Sequence, residues 1–156
     1  MIRKIFSVIT AISLIALLAM GEAQRSSAAA QTITPNLTLN ITDLELLGVN
    51  SLIVSWTVKK TGSVTIQPYE ITLELSRNGV TERFFKTAAS TATFVNFDLR
   101  GISADRRAKL FGPNLKATAV VKATFYRHQT NGTFKSILEV NKTKIFSAVD
   151  AGPIAK

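Results

Sequence analysis

Alternation of apolar and polar residues with a period of two is the feature that most constrains the fold of this chain. In the clearest example, four apolar residues alternate with four polar ones in Tyr69-Glu70-Ile71-Thr72-Leu73-Glu74-Leu75-Ser76. This period places successive side chains on opposite faces of a β-strand, so that one face is buried and the other meets water. No segment of residues 31–149 has the 3.6-residue period of an amphipathic helix. The pattern therefore predicts an all-β domain.

Similar segments, rich in Thr, Val, Ile and Phe, recur along the chain and predict seven or eight short strands. They are residues 37–41, 44–47, 52–58, 69–76, 80–86, 93–99, 116–126, 134–140 and 143–149, the last of which either extends its predecessor or pairs separately. Asn78-Gly79 and Asn131-Gly132 mark two hairpins, and the first supplies the positive-φ residues of a type I′ turn. Helix is expected only as a turn within Ala104–Leu110. The spacing favours an antiparallel β-sandwich or barrel.

The first thirty residues have the order of a secretory signal peptide. Arg3 and Lys4 precede an apolar run of 16 residues, Ile5–Met20, and small residues follow as far as Ala30. The run is shorter than the roughly 20 residues that span a bilayer, which favours a cleaved signal over a membrane anchor. We expect cleavage after Ala30, with Ala23 as the alternative. The predicted organisation is then a signal peptide (1–30), a β-sandwich domain (31–149) and a C-terminal tail (150–156).

The composition excludes several kinds of site. The chain has no Cys, so disulfides, thiolate metal sites and a Cys nucleophile are excluded. A single His excludes sites that need two imidazoles. No cofactor is expected. The net charge is +9, and +7 remains after the predicted cleavage, because residues 1–30 contain three basic groups and one acidic group. A basic exported domain could associate with anionic partners.

Three segments together resemble a fibronectin type III domain. They are Pro35-Asn36-Leu37-Thr38-Leu39, Ser51-Leu52-Ile53-Val54-Ser55-Trp56 and Tyr69-Glu70-Ile71-Thr72-Leu73, so the resemblance covers residues 35–79. It implies an antiparallel immunoglobulin-like β-sandwich in which these segments are the first three strands, A, B and C. In the second half, residues 100–115 intervene before strand F, and Tyr126 lies at the far end of that strand. The tyrosine corner of the family is therefore expected to be missing.

The densest basic segment lies in the predicted loop between strands E and F of this sandwich. It is a candidate site for an anionic partner such as lipopolysaccharide or another glycan. A solvated loop in a basic protein is the competing interpretation. Phe111 is the only aromatic residue in the segment, which argues against sequence-specific recognition of nucleic acid. The candidate residues are Arg100, Arg106, Arg107, Lys109 and Lys116.

Three further features favour structural interpretations. Trp56 falls on the inward face of its strand and is expected in the core. His128, beside Arg127, lacks the sequence context of a catalytic triad and is expected in an exposed loop. Glu70 and Glu74 share one strand face, about 13 Å apart, beyond the carboxyl separation of glycosidases. They are expected to form ion pairs with basic residues on the return strand, either Arg83 or Lys86.

These observations favour an exported, non-enzymatic module that binds proteins or associates structurally at the cell envelope or outside the cell. Fibre assembly by addition of a partner strand to a sheet edge is one form of this hypothesis. Candidate binding loops are 59–68, 87–92 and 126–133. Polyanion binding through residues 100–116 is one alternative. A small hydrolase that combines His128 with Asp98, Asp105 or Glu139 is another. The sequence leaves the oligomeric state open and predicts no membrane span after signal cleavage.

Overall fold

The computed structural model describes residues 34–147, and within them the chain is almost entirely β-strand. The predicted signal peptide, the tail and the end of the last predicted strand lie outside this range. The structure confirms the all-β prediction and the expected helix at residues 104–110. The elements are β1 (Asn36–Leu47), β2 (Ser51–Thr61), β3 (Val64–Ile66), β4 (Tyr69–Arg77), β5 (Val80–Ala88), β6 (Phe94–Asp98), α1 (Ala104–Leu110), β7 (Leu115–Gln129) and β8 (Gly132–Phe146).

Two antiparallel sheets contain the eight strands. One has three strands in the order β1-β2-β6. The other has the order β5-β4-β7-β8, and the short β3 pairs with β7 next to β4. The arrangement is consistent with a β-sandwich, in which each sheet turns one face toward a shared core.

The predicted inward faces form that core. Every second residue of β4 from Tyr69 to Leu75 is buried, as the alternation requires. Trp56 is only 1% exposed, which confirms its expected place in the core. Its ring lies 5.3 Å from that of Tyr69 in an edge-to-face arrangement, the geometry that aromatic quadrupoles favour. Among the described residues, no residue of a polar or charged type is buried, and the only polar side-chain atoms in the core are those of Trp56 and Tyr69.

Several strand boundaries differ from the sequence-based predictions. Residues 37–41 and 44–47 belong to one strand, because a bulge between Ile41 and Asp43 shifts the register without ending the pairing with β2. Residues 134–140 and 143–146 likewise form one strand, which pairs with β7 along its whole length. The candidate loop 59–68 contains β3, three residues too short to show a period.

The two predicted hairpins are present, but one is displaced by a residue. Asn78 and Gly79 have φ values of 50° and 73°, as a type I′ turn requires, and they connect β4 to β5. In the second hairpin, Gln129 pairs with Gly132, so Thr130 and Asn131 form the loop and Gly132 begins β8. The Asn-Gly pair thus marked the position of this turn but not its register.

Candidate functional site

The basic segment 100–116 forms the connection between β6 and β7, and α1 lies within it. Arg100 follows β6 and holds Asp98 from two nitrogens, with Nε–Oδ1 2.9 Å and Nη2–Oδ2 2.7 Å. The backbone N–H of Arg100 also donates to Asp98, at 3.0 Å. The side-chain hydrogen bond, together with this backbone bond, holds the pKa of the Asp98 carboxyl well below its usual range. The same pair raises the pKa of Arg100.

The two arginines of α1 turn to different partners. Arg106 forms an ion pair with Glu82 on β5 and donates to the carbonyl of Thr81 at 2.9 Å. Arg107 donates to Asn50 Oδ1 at 2.9 Å and to the carbonyl of Leu99 at 2.7 Å. Both guanidinium groups therefore attach the helix to neighbouring parts of the domain. The charge of Arg106 is paired with a carboxylate, whereas Arg107 donates only to neutral oxygens.

The remaining two candidate residues differ from each other. Lys109 pairs with Asp105 one turn earlier in α1, at 3.0 Å. Lys116 is exposed on the outer face of the five-stranded sheet, in register between Ser76 and Ile145. Four of the five candidates thus already have partners in the domain, and Lys116 stands apart on β7. Polyanion binding through this segment stays a prediction.

A polar depression of about 220 Å³ lies beside Arg100. Asn50, Ser51, Asn96 and Asp98 complete its lining, and the Ser51 hydroxyl donates to the side chain of Asn96. The Asp98 carboxylate is already paired with Arg100. Of the chemical groups in the depression, the hydroxyl and amide groups are suited to hydrogen bonding with a polar ligand. No group of three or more His, Asp or Glu side chains suited to a metal ion occurs in residues 34–147.

His128 is exposed, as predicted, but it lies within β7 near the end of the strand and not in the loop, and hydroxyl groups orient its ring. Nε2 lies 2.9 Å from Thr65 Oγ1, and Nδ1 lies 3.1 Å from Thr133 Oγ1. A catalytic triad would instead place a carboxylate on one ring nitrogen and a nucleophile on the other. The threonines could serve as acceptors or donors but not as the orienting anion. These contacts give the hydrolase alternative no support.

The predicted carboxylate pairs are partly confirmed. Glu74 accepts from Arg83 Nε on the return strand at 2.7 Å, as the cross-strand prediction required. Glu70 pairs instead with Lys122 on β7 at 2.9 Å. The second partner was missed because β4 has neighbours on both sides, and a sequence shows directly only the hairpin neighbour. Both pairs are solvent-exposed and contribute little to stability.

Basic side chains that cross between strands were missed by sequence reasoning. Lys86 on β5 donates to the carbonyl of Asn96 on β6 at 2.8 Å. On β8, Lys142 donates to the carbonyl of Thr42, and Lys144 donates to that of Leu44 at 2.8 Å. All three lysines occupy the inward phase of an edge strand. A lysine at an inward-facing strand position, where an apolar residue is usual, is the sequence signal that could have identified them.

Comparison with protein-family models, with curated proteins and with solved structures found no match to this chain. No helix within residues 34–147 has both the length and the apolar character needed to cross a membrane.

Proposed function

We propose that the chain is an exported, non-enzymatic, immunoglobulin-like β-sandwich module that associates with protein partners at the cell envelope or outside the cell. Export is inferred from the order of residues 1–30. The strand order supports an immunoglobulin-like sandwich, in which strands A, B and E share one sheet and strands C, F and G the other. With β3 and β4 taken as one interrupted strand C, β1, β2 and β6 correspond to A, B and E. Then β5, β7 and β8 correspond to C′, F and G.

One long sheet edge carries this proposal. β8 is 15 residues long, and within the described residues it pairs only with β7. In the hairpin, the closing pair Gln129 and Gly132 exchanges hydrogen bonds, so even-numbered residues of β8 direct their backbone polar groups toward β7. The odd-numbered residues direct theirs toward the open edge. An edge of this kind is a template for an added strand.

The other three long edges differ, because cationic side chains occupy some of their carbonyl groups. Lys142 and Lys144 donate to carbonyls on β1. Lys86 donates to a carbonyl on β6, and Arg106 donates to one on β5. Such charged side chains are a common means of blocking edge-to-edge pairing. By contrast, no side-chain donor among the described residues occupies a carbonyl of β8.

A second copy of the chain is the partner that we propose for this edge. Ile137 and Ile145 are 60% and 64% exposed on the outer face of β8, and each lies four residues from Asn141. Antiparallel pairing of two β8 strands about Asn141 would therefore place each Ile137 opposite Ile145 of the second copy. Glu139 would lie opposite Thr143, so no like charges would lie directly opposite each other. This pairing is self-complementary and gives a closed dimer; a fibre would need a second contact.

Sedimentation velocity over a range of concentrations tests the proposal with a matched pair of variants. We expect the natural chain to dimerise, and Ile137→Lys to dissociate the dimer. Phe85→Lys is the control, because Phe85 is 63% exposed on the same sheet but lies on β5, where Arg106 occupies an edge carbonyl. The control should leave the dimer unchanged. A chain that is monomeric at about 1 mM, where a contact of about 4 kcal/mol is half formed, would contradict the proposal.

A single introduced thiol tests the register, since the natural chain has no Cys. Across the proposed axis, residue 141 faces itself at about 5.5 Å between Cα atoms, within the range that a disulfide spans. Asn141→Cys should therefore form a covalent dimer on mild oxidation. Thr133→Cys, eight residues away on the same strand, should not. Equal cross-linking of both variants would show that the contact is not the one proposed.

A further inference from the structure

Among the described residues, most of the basic side chains that have no hydrogen-bond or ion-pair partner lie at the opposite end of the domain from α1, and Lys116 at the start of β7 is the exception. At the end opposite α1, β2 continues into β3 and β7 turns into β8. Four basic residues, Lys59, Lys60, Arg127 and Lys135, lie on these strand ends. The strand ends that carry these four residues belong to segments that contain no Asp or Glu. Those segments are residues 34–42, 46–69, 83–97 and 106–138. We call the four basic residues the β2–β8 end cluster.

The contacts of the cluster differ from those of the basic segment around α1. Among the described residues, the side chains of Lys59, Lys60 and Lys135 have no hydrogen-bond or ion-pair partner, and Arg127 Nε is buried without an acceptor. In the α1 segment, by contrast, Arg100, Arg106 and Lys109 each hold a carboxylate. The six ion pairs of the described residues all lie outside the cluster, and they are Arg83–Glu74, Arg100–Asp98, Arg106–Glu82, Lys109–Asp105, Lys122–Glu70 and Lys144–Asp43. The cluster therefore keeps its full charge for an external anion.

The four residues lie around one end of the domain rather than on one face: Lys60 and Arg127 are in the inward phase of their strands, and Lys59 and Lys135 lie on the outer faces of the two sheets. Arg127 is the register partner of Val64, and Lys135 is the register partner of Tyr126. The N–H of His128 donates to the carbonyl of Ser63 at 3.0 Å. Lys60 is only three residues before Ser63 in the chain. The cluster thus surrounds the crossover at residues 61–64, and the two packed sheets from which it comes are about 10 Å apart.

The polar surroundings of the cluster favour a sugar polymer over other polyanions. Lys60 lines a depression of about 290 Å³ whose floor includes Ile66 and Tyr69 and whose other lining residues include Ser90, Thr91 and Thr93. Thr65 and Thr133 add hydroxyl groups beside His128. Hydroxyl groups around an apolar floor match the mixed polar and apolar faces of a sugar ring. Two aromatic rings lie beside Lys135 on this sheet: the partly exposed Tyr126, and Phe134, which is 41% exposed and is the register partner of Arg127. Exposed rings can stack on a nucleic-acid base as well as on a sugar, so the hydroxyl groups, and not the aromatic residues, favour the sugar polymer.

We propose that the β2–β8 end cluster binds an anionic polysaccharide, a glycan chain that carries sulfate, phosphate or carboxylate groups. The lysines and Arg127 contact the anionic groups, and the neighbouring hydroxyl groups hydrogen-bond to the sugar. This inference does not rest on the β8–β8 contact of the proposed function. The oligomeric state of each variant, measured in the same samples, reports on that contact separately.

The test compares two triple variants of the full chain, as recovered from the expression host, in binding to heparin. The first is Lys59→Ala/Lys60→Ala/Lys135→Ala. The matched control removes the same charge at the other end, as Arg100→Ala/Lys109→Ala/Lys116→Ala. We expect the cluster variant to lose at least about tenfold in affinity at physiological salt, and its log K against log salt slope to fall by about 3. The control should stay within about twofold of the natural chain, because two of its three cations are already neutralised within the domain.

Further measurements make each outcome decisive. Lys59→Arg/Lys60→Arg/Lys135→Arg keeps the charge and should bind as the natural chain does. An equal loss in both alanine variants would show that net charge alone governs binding and would overturn the assignment to one end. A loss confined to the control would assign binding to residues 100–116 instead. Single-stranded DNA that binds as tightly as heparin, with the same dependence on the cluster, would overturn the polysaccharide as the ligand class.

Discussion

Arg77 fastens α1 to the sandwich, and its removal gives the sharpest test of how this fold is stabilised. Its guanidinium reaches from the end of β4 to three carbonyls. Nε lies 2.7 Å from the oxygen of Pro113, and Nη1 lies 2.9 Å from that of Lys109 and 3.1 Å from that of Phe111. These carbonyls belong to the C-terminal end of the helix and the turn after it. A cation at this position also complements the helix dipole.

The packing around Arg77 shows why a substitute would fit poorly. Gly112 has φ +144°, and a Cβ at this position would lie 2.9 Å from Arg77 Cζ. The glycine therefore lets the guanidinium lie directly against the backbone. Leu110 and Phe111, just before it, are fully buried, so the arginine fixes the segment that closes this end of the core. Tyr126 lies far from this turn, near the end of β7.

We expect Arg77→Ala to lower the free energy of unfolding by about 2–4 kcal/mol. A hydrogen bond to a charged group contributes about 1.5–3 kcal/mol, but the three bonds share one guanidinium and two are solvent-exposed, so their contributions do not simply add. Urea unfolding with linear extrapolation measures the change. Amide hydrogen exchange should also become faster in residues 104–115 before other segments respond.

Arg83→Ala is the matched control, because it removes an arginine of the neighbouring strand whose side chain, among the described residues, makes only an exposed pair with Glu74. It should cost no more than about 1 kcal/mol. Arg77→Lys should recover part of the loss, since an ammonium cannot reach all three carbonyls in the planar geometry of a guanidinium. Equal, small losses for Arg77→Ala and Arg83→Ala would refute the role assigned to Arg77.

Three further predictions concern the core, an ion pair and export. Trp56→Ala should destabilise the domain by about 3–5 kcal/mol in urea unfolding, because it leaves a cavity in place of the buried indole ring that packs against Tyr69; a change near zero would place Trp56 outside the core. The pKa of Asp98 is lower in the folded state than its unfolded value of about 3.9, so its pair with Arg100 should stabilise the domain above that pH and lose its effect as the pH falls below it. Stability measured from neutral to acidic pH should therefore depend less on pH in Asp98→Asn than in the natural chain. Intact-mass measurement of the exported protein should give an N-terminus at Gln31; retention of the first thirty residues would contradict the signal-peptide prediction.

Local features of this fold were predictable from the sequence because they depend on neighbours in the chain. The period of two in residues 69–76 requires only that one face of a strand be buried, and β4 follows it throughout. The Asn78-Gly79 turn requires only two residues that tolerate positive φ. The helix at Ala104–Leu110 was also expected where it occurs. Each of these predictions involves interactions over a few residues.

The candidate site was less predictable, because the partners of its side chains are distant in sequence. Arg106 meets Glu82, 24 residues away, and Arg107 meets Asn50, 57 residues away. Sequence density alone made residues 100–116 look like the main cationic surface. Pairing within the fold neutralises much of that segment, whereas Lys59, Lys60 and Lys135 lack such partners.

The sequence by itself determined that this domain is built from strands, where most of them lie and which faces they bury. Only the tertiary structure decided which strands share a sheet, that residues 36–47 and 132–146 are single strands, and which charges keep no partner. The physical reason is the range of the interactions. Alternation and turn chemistry act between neighbours in the chain. Sheet order, edge exposure and ion pairing depend on how distant segments pack, and many strand orders satisfy the same local pattern.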